Sequence, residues 1–188
     1  MTMLKQMKNF IIAAVMLLAW NGMHAQNLSL STNAVEIANF GTINMDATYG
    51  MAQHWSVSAG LKYNPFSFGR GDGQMQNKQR SISVGTRYWP WHVFSGWWLA
   101  ASVRYQEYST GGMSSPTTSE GDRFGSGIGG GYTYMLTPHF NLDFGLGVWA
   151  GYDVYRTYSC PTCGRLVGDG SKIFLLPSDI ILGLSYIF

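Results

Sequence analysis

Charge is what this sequence has least of. Acidic and basic residues together fill 12% of its 188 positions, about half the share of an ordinary soluble domain. A chain so poor in charge is ill equipped to cover itself with a water-facing surface. The formal excess of +2 comes from Lys5 and Lys8 near the N-terminus. Beyond them acids and bases are equal in number, which excludes a basic face for nucleic acid. Cysteine is nearly absent too. Cys160 and Cys163 are the only two, too few for a disulfide-built scaffold or a four-cysteine zinc site. After residue 25 no apolar run is long enough for a transmembrane helix, which needs about 20 residues. If the chain enters a membrane, it must do so with strands.

The N-terminus has a pattern of its own. Lys5 and Lys8 precede an apolar run from Phe10 to Trp20, and Met23-His24-Ala25 precedes Gln26. This predicts a secretory signal peptide over residues 1–25 and a single domain over 26–188. No cysteine follows the apolar run, so lipoprotein processing is not indicated.

What the sequence has in plenty is glycine, 24 residues, and aromatics, 15% of the chain. They fall into period-two alternation. Trp55, Val57, Ala59, Leu61 and Tyr63 interleave with Ser56, Ser58, Gly60 and Lys62, which is the signature of a strand with one apolar face. Residues 43–51, 82–88, 97–105, 124–136, 140–152 and 172–188 repeat the pattern. A first strand over 28–38 alternates poorly around Ala34-Val35-Glu36-Ile37, which predicts a bulge or a phase change. The count is eight strands.

Connections alternate in length. Those after strands two, four and six are short: 52–54, 90–96 and 137–139. Those after strands three, five and seven, 64–79, 109–122 and 156–171, are long and polar. Short turns on one side and long loops on the other characterise transmembrane barrels. The predicted fold is therefore all-β, an eight-stranded antiparallel up-and-down transmembrane β-barrel. Trp55, Tyr63, Tyr88, Trp97, Tyr105, Tyr134, Tyr152 and Tyr186 would form its interfacial girdles. The chain closes with Ile180, Leu182, Leu184, Tyr186 and Phe188 on one face, an ending that resembles the C-terminal insertion signal read by the barrel assembly machinery. The competing architecture is a soluble, lipocalin-like barrel, in which the same apolar face would turn inward around a ligand.

Several motifs invite chemistry. The barrel would turn Glu36, Asp46, Lys62, Arg87, Arg104, Asp143 and also Asp179 inward. Mixed charges in a narrow tube need partners, which predicts a paired interior network rather than an ion path. Residues 125–130 match a dinucleotide-binding glycine spacing, but they continue as alternating strand positions instead of opening a helix. Cys160-Pro161-Thr162-Cys163 lies in the last long loop. The pair is a disulfide candidate, and Cys160 and Cys163 are at most weak candidates for a metal site completed by another chain, or for redox chemistry. Arg70-Gly71-Asp72 is a tripeptide of the integrin-binding type, which a turn-rich loop also yields by chance. No nucleophile, base and acid cluster in one region, so no catalytic residues and no cofactor are expected.

Tyr63-Asn64-Pro65-Phe66, Arg87-Tyr88-Trp89, the glycine-rich strand 127–134 and above all Tyr158-Ser159-Cys160-Pro161-Thr162-Cys163-Gly164 carry a resemblance. The chain resembles the uncharacterised family filed as domain of unknown function 3575, over nearly all of the chain beyond the leader. The resemblance implies a small Gram-negative outer-membrane barrel, expected near fimbrial or surface-assembly components, and supplies no activity. The expectation is thus an outer-membrane protein in contact with lipid, with a structural role or a surface protein partner at its outer loops. The alternative is a barrel that binds or transfers a small hydrophobic ligand, lipocalin-like or by lateral opening.

Overall fold

The computed structural model describes residues 27–69, 74–112, 117–160 and 164–188, and of Ser178 and Asp179 the backbone only. The predicted leader, the Arg70-Gly71-Asp72 tripeptide, Cys163 and the side chain of Asp179 therefore lie outside the described residues. Nine strands and one helical turn follow in chain order: β1 (Leu28–Asn33), α1 (Ala34–Ala38), β2 (Ile43–Ala52), β3 (Trp55–Asn64), β4 (Ser67–Phe68), β5 (Met75–Tyr88), β6 (Gly96–Gly111), β7 (Thr118–Met135), β8 (Phe140–Tyr158) and β9 (Leu166–Ile187).

Every pairing is antiparallel. Neighbours in sequence pair in turn, β3 pairs with β5, and β1 returns to pair with β9, which closes eight strands into a ring. The two-residue β4 is a flap on the start of β5. The closing ladder runs from Ser29 opposite Ile187 to Asn33 opposite Gly183. The fold is all-β, and the eight expected strands make up the ring.

Two expectations about local structure are corrected. The irregular stretch after Asn33 is a helical turn, not a bulge. Asn33 caps it, its side-chain oxygen accepting from the Val35 N–H at 3.1 Å; such a cap satisfies an amide that the first turn would otherwise leave free. The same side chain continues the ladder where β1 stops: its amide donates to Ile180 O at 2.9 Å and its oxygen accepts from the Leu182 N–H at 3.1 Å. Register shifts occur elsewhere, between Gly50 and Ala52 on β2, between Thr157 and Tyr158 on β8, and in the middle of β9, where Gly147 faces Asp179 and Val148 faces Pro177. Pro177, which has no N–H to give, fits such an irregularity.

The long loops are also shorter than expected. Half of 64–79 and more than half of 109–122 and of 156–171 is strand: Tyr108 faces Gly121, and Tyr155 faces Gly170. Among the described residues, what remains between strands is 65–66, 69, 74, 112, 117, 159–160 and 164–165. Here polar residues occupy both faces, so the contrast that marks a half-buried strand is missing although the ladder continues.

The alternation sorts cleanly between the two sides of the wall. Leu61, Ile82, Leu99, Ile128 and Leu146 are each more than half exposed on the outside, whereas Asn44, Thr48, Ser56, Asn141 and Asp143 are buried on the inside. At the short-turn end the 89–95 segment folds into the mouth of the ring. Trp89, Val93, Phe94, Trp98 and Ile187 form one apolar cluster there. The Trp89 indole N–H donates to Ser56 Oγ at 2.9 Å, and the Asn141 amide to Phe94 O at 2.8 Å.

Asn33→Ala removes the cap and both bonds to β9. Its expected cost is about 1–3 kcal/mol, read from urea unfolding of the refolded protein. Asn33→Asp, which keeps the cap acceptor, is expected to lose less.

Candidate functional site

The polar interior is the one place where the ring gathers ionisable groups out of solvent. It is made possible by small residues in the wall. Trp98 is 2% exposed and its six-membered ring lies against β7 and β8 at Gly131 and Gly145. A Cβ on Gly131 would sit 2.5 Å from Trp98 Cζ2, and one on Gly145 would sit 2.8 Å from it. Real Cβ atoms do not approach so closely, so the glycine rows of these strands are what admit the indole.

Above Trp98 lies a cavity of about 100 Å³. Asp46, Lys62, Arg87, Arg104 and Asp143, five of the charged residues expected inside, line it together with Ser58, Ser83 and Ser102. Lys62 Nζ meets Glu36 Oε1 at 2.7 Å, both side chains mostly buried. Glu36 reaches that pair from α1 rather than from a strand. Asp143 accepts a hydrogen bond from the Thr133 hydroxyl. The guanidinium carbon of Arg87 lies 4.8 Å from the centre of the Trp98 ring, and that of Arg104 lies 5.3 Å from Trp149. Both are cation–π distances. The interior therefore holds both ion pairs and guanidinium groups set over indole rings.

A second cluster, toward the hairpin tips, escaped sequence reasoning. Asp153 is wholly buried; it accepts from the Tyr108 hydroxyl at 3.0 Å and from Arg123 Nε at 3.2 Å, with Lys172 Nζ at 3.9 Å. Arg123 in turn lies 3.7 Å above the Tyr108 ring. Burial pushes the Tyr108 phenol above its ordinary pKa, while the nearby Arg123 pulls it down. The signal was present. Arg123 continues the inner row of Gly125 and Gly127, and Asp153 that of Asp143 to Gly151, each one residue beyond the alternating runs 124–136 and 140–152.

The remaining expected site residues are dispersed. Ile180, Leu182, Leu184, Tyr186 and Phe188 all stand exposed on the outer wall. Tyr186 packs against both Phe140 and Phe188. Cys160 sits at the end of β8, buried and disulfide-bonded. Among the described residues no three His, Cys, Asp or Glu side chains are grouped to hold a metal. His54 and His139 lie at the short-turn end against Tyr88 and Tyr186, far along the strands from Cys160.

Comparison with known proteins adds one match. Residues 10–188 match the family described as "Protein of unknown function (DUF3575)", and the chain belongs to that family. Among curated proteins none matches.

The buried cluster yields a stability prediction. Asp153→Ala leaves Arg123 without its carboxylate and is expected to cost about 3–5 kcal/mol in urea unfolding. Lys172→Ala, half-exposed and at longer range, is expected to cost about 0–1 kcal/mol.

Proposed function

We propose that this family member is an outer-membrane β-barrel, exported by a leader over residues 1–25, with its apolar outer wall in lipid and its extended hairpins outside the cell. It acts there as a structural or surface-interaction protein beside a surface or fimbrial assembly, its outer tips, including the Cys160 hairpin, meeting a protein partner. The reading assigns it no catalytic role.

One observation carries the proposal: the ring is polar inside and apolar outside, the reverse of a soluble domain. A water-exposed surface set with Ile128 at 68% and Leu146 at 66% exposure would be a large apolar patch of the kind that soluble monomers avoid. In lipid the same surface is at home, and the closed ladder leaves the membrane-facing backbone paired. The dimensions agree. On β6 the outward row runs from Trp97 to Tyr105 and then meets Glu107. With about 3.3 Å per residue and a tilt of about 40°, that row is roughly 20 Å tall, near the ~25 Å apolar band of such barrels. Aromatic residues edge it below at Trp55, Tyr88 and Trp97, and above at Tyr63, Tyr105 and Tyr152. The outer row from Ile180 to Phe188 supports recognition by the assembly machinery. The alternative of a hydrophobic ligand inside finds little support, since serines and charged residues line the cavity.

Cell fractionation followed by electrophoresis with and without boiling tests the reading. The expected result is an outer-membrane band that migrates differently before and after boiling; a soluble periplasmic protein with no shift would refute it. Leu146→Arg places a charge at mid-belt and is expected to cost about 2–4 kcal/mol when the protein folds into lipid vesicles. On a water-facing wall the same change would be nearly neutral.

A further inference from the structure

The interior cavity is unevenly supplied with hydrogen-bond donors. Trp98 is 2% exposed and lines the cavity, yet among the described residues its indole Nε1–H has no acceptor. An indole nitrogen can only donate, so nothing else about the group offsets its burial. Buried donors without partners are rare, and each one calls for an unseen occupant or a functional reason. Beside it, Arg87 lines the same cavity. Among the described residues, its guanidinium has the Trp98 ring as its partner and no carboxylate within ion-pair distance.

The neighbouring charges do not fill the need. Lys62 is held by Glu36, Asp143 is engaged by Thr133, and Asp46 and Arg104 have partners of their own. With Glu36 counted beside its partner Lys62, three carboxylates and three cations stand in or against the lining among the described residues, but none of the carboxylates pairs with Arg87. Ser58, Ser83 and Ser102 add hydroxyls that rotate to donate. Below, the Trp89 and Phe94 cluster closes the short-turn end. The volume, about 100 Å³, has room for several water-sized species, each needing roughly 10–15 Å³, and excludes bulky ligands.

We propose that this cavity binds a small monovalent inorganic anion of halide size, held at the edge of the Trp98 indole by its Nε1–H and by the Arg87 guanidinium. The anion supplies the acceptor that the indole, and the counter-charge that Arg87, do not find among the described residues. In a narrow interior both effects are stronger than in water. The site is separate from the outer hairpins and does not depend on what they meet.

The test is nuclear magnetic resonance of the indole N–H signals of the full chain, folded in detergent micelles and titrated at constant ionic strength. Sodium chloride and sodium bromide are the probes. Sodium gluconate, whose anion is too large to enter, is the control. The expected result is a saturable shift of one indole signal, assigned to Trp98 by its loss in Trp98→Phe, with both halides and not with gluconate. Arg87→Gln is expected to weaken the apparent affinity at least tenfold, and Arg87→Lys, which keeps the charge, by less. No saturable shift, or an equal shift with gluconate, would overturn the proposal and leave the cavity to water. So would an Arg87→Gln protein that folds and still responds like the wild type. The comparison of halide with gluconate in the wild type stands even if a variant fails to fold.

Discussion

The rest of the structure depends on the pairing of its first strand with its last. An open eight-stranded sheet would present two rows of unpaired N–H and C=O groups, and open edges invite pairing with other chains. Ser29 to Asn33 against Gly183 to Ile187 removes the edges at the short-turn end. Closure also fixes what is inside. Because successive side chains point to opposite faces, one registered ladder commits every strand at once, and a slip of one residue would exchange the two faces. Asn33 is where this pairing ends, and its side chain bonds the next groups of β9, so closure and the start of α1 meet in one residue.

From that commitment follows the division of labour between the faces. The inner row must fit a tube that side chains nearly fill, which explains Gly131 and Gly145: they stand where Trp98 needs space. Polar groups that enter such an interior must satisfy one another. Glu36 with Lys62, and Asp153 with Arg123 and Tyr108, do so. The outer row has no such restriction and carries large apolar side chains almost throughout. The membrane reading rests on this inversion.

Much of the ring was legible in the sequence because a wall with two unlike faces writes its own period. Residues 55–63 and 140–152 show it without interruption. The legibility fails where the two faces become alike. Around Thr110, Thr118 and Thr157 both sides are polar, so strands resemble loops, and the buried Asp153 cluster was hidden with them. The turn at Ala34–Ala38 is illegible in the sequence for a different reason. Five residues are too few to show a helical period, and the decisive feature, Asn33 capping Val35, is a side-chain contact. The interior charges were found by parity alone, yet parity could not say which would pair. Glu36 and Lys62 meet because α1 swings Glu36 inward, whereas Arg87 and Arg104 rest on indoles that no alternation pattern predicts.

The central claim is that the apolar outer wall faces lipid, and the most direct measurement is the environment of a single outward position. A nitroxide spin label on Leu146→Cys, in protein folded into vesicles, reports its relative exposure to oxygen, which partitions into lipid, and to a water-soluble nickel chelate. The account predicts a label reached readily by oxygen and hardly at all by the chelate. A label at the same position on Ser171, near the hairpin tips, should show the opposite. A Leu146 label as open to the chelate as the Ser171 label would contradict the account and return the outer wall to water.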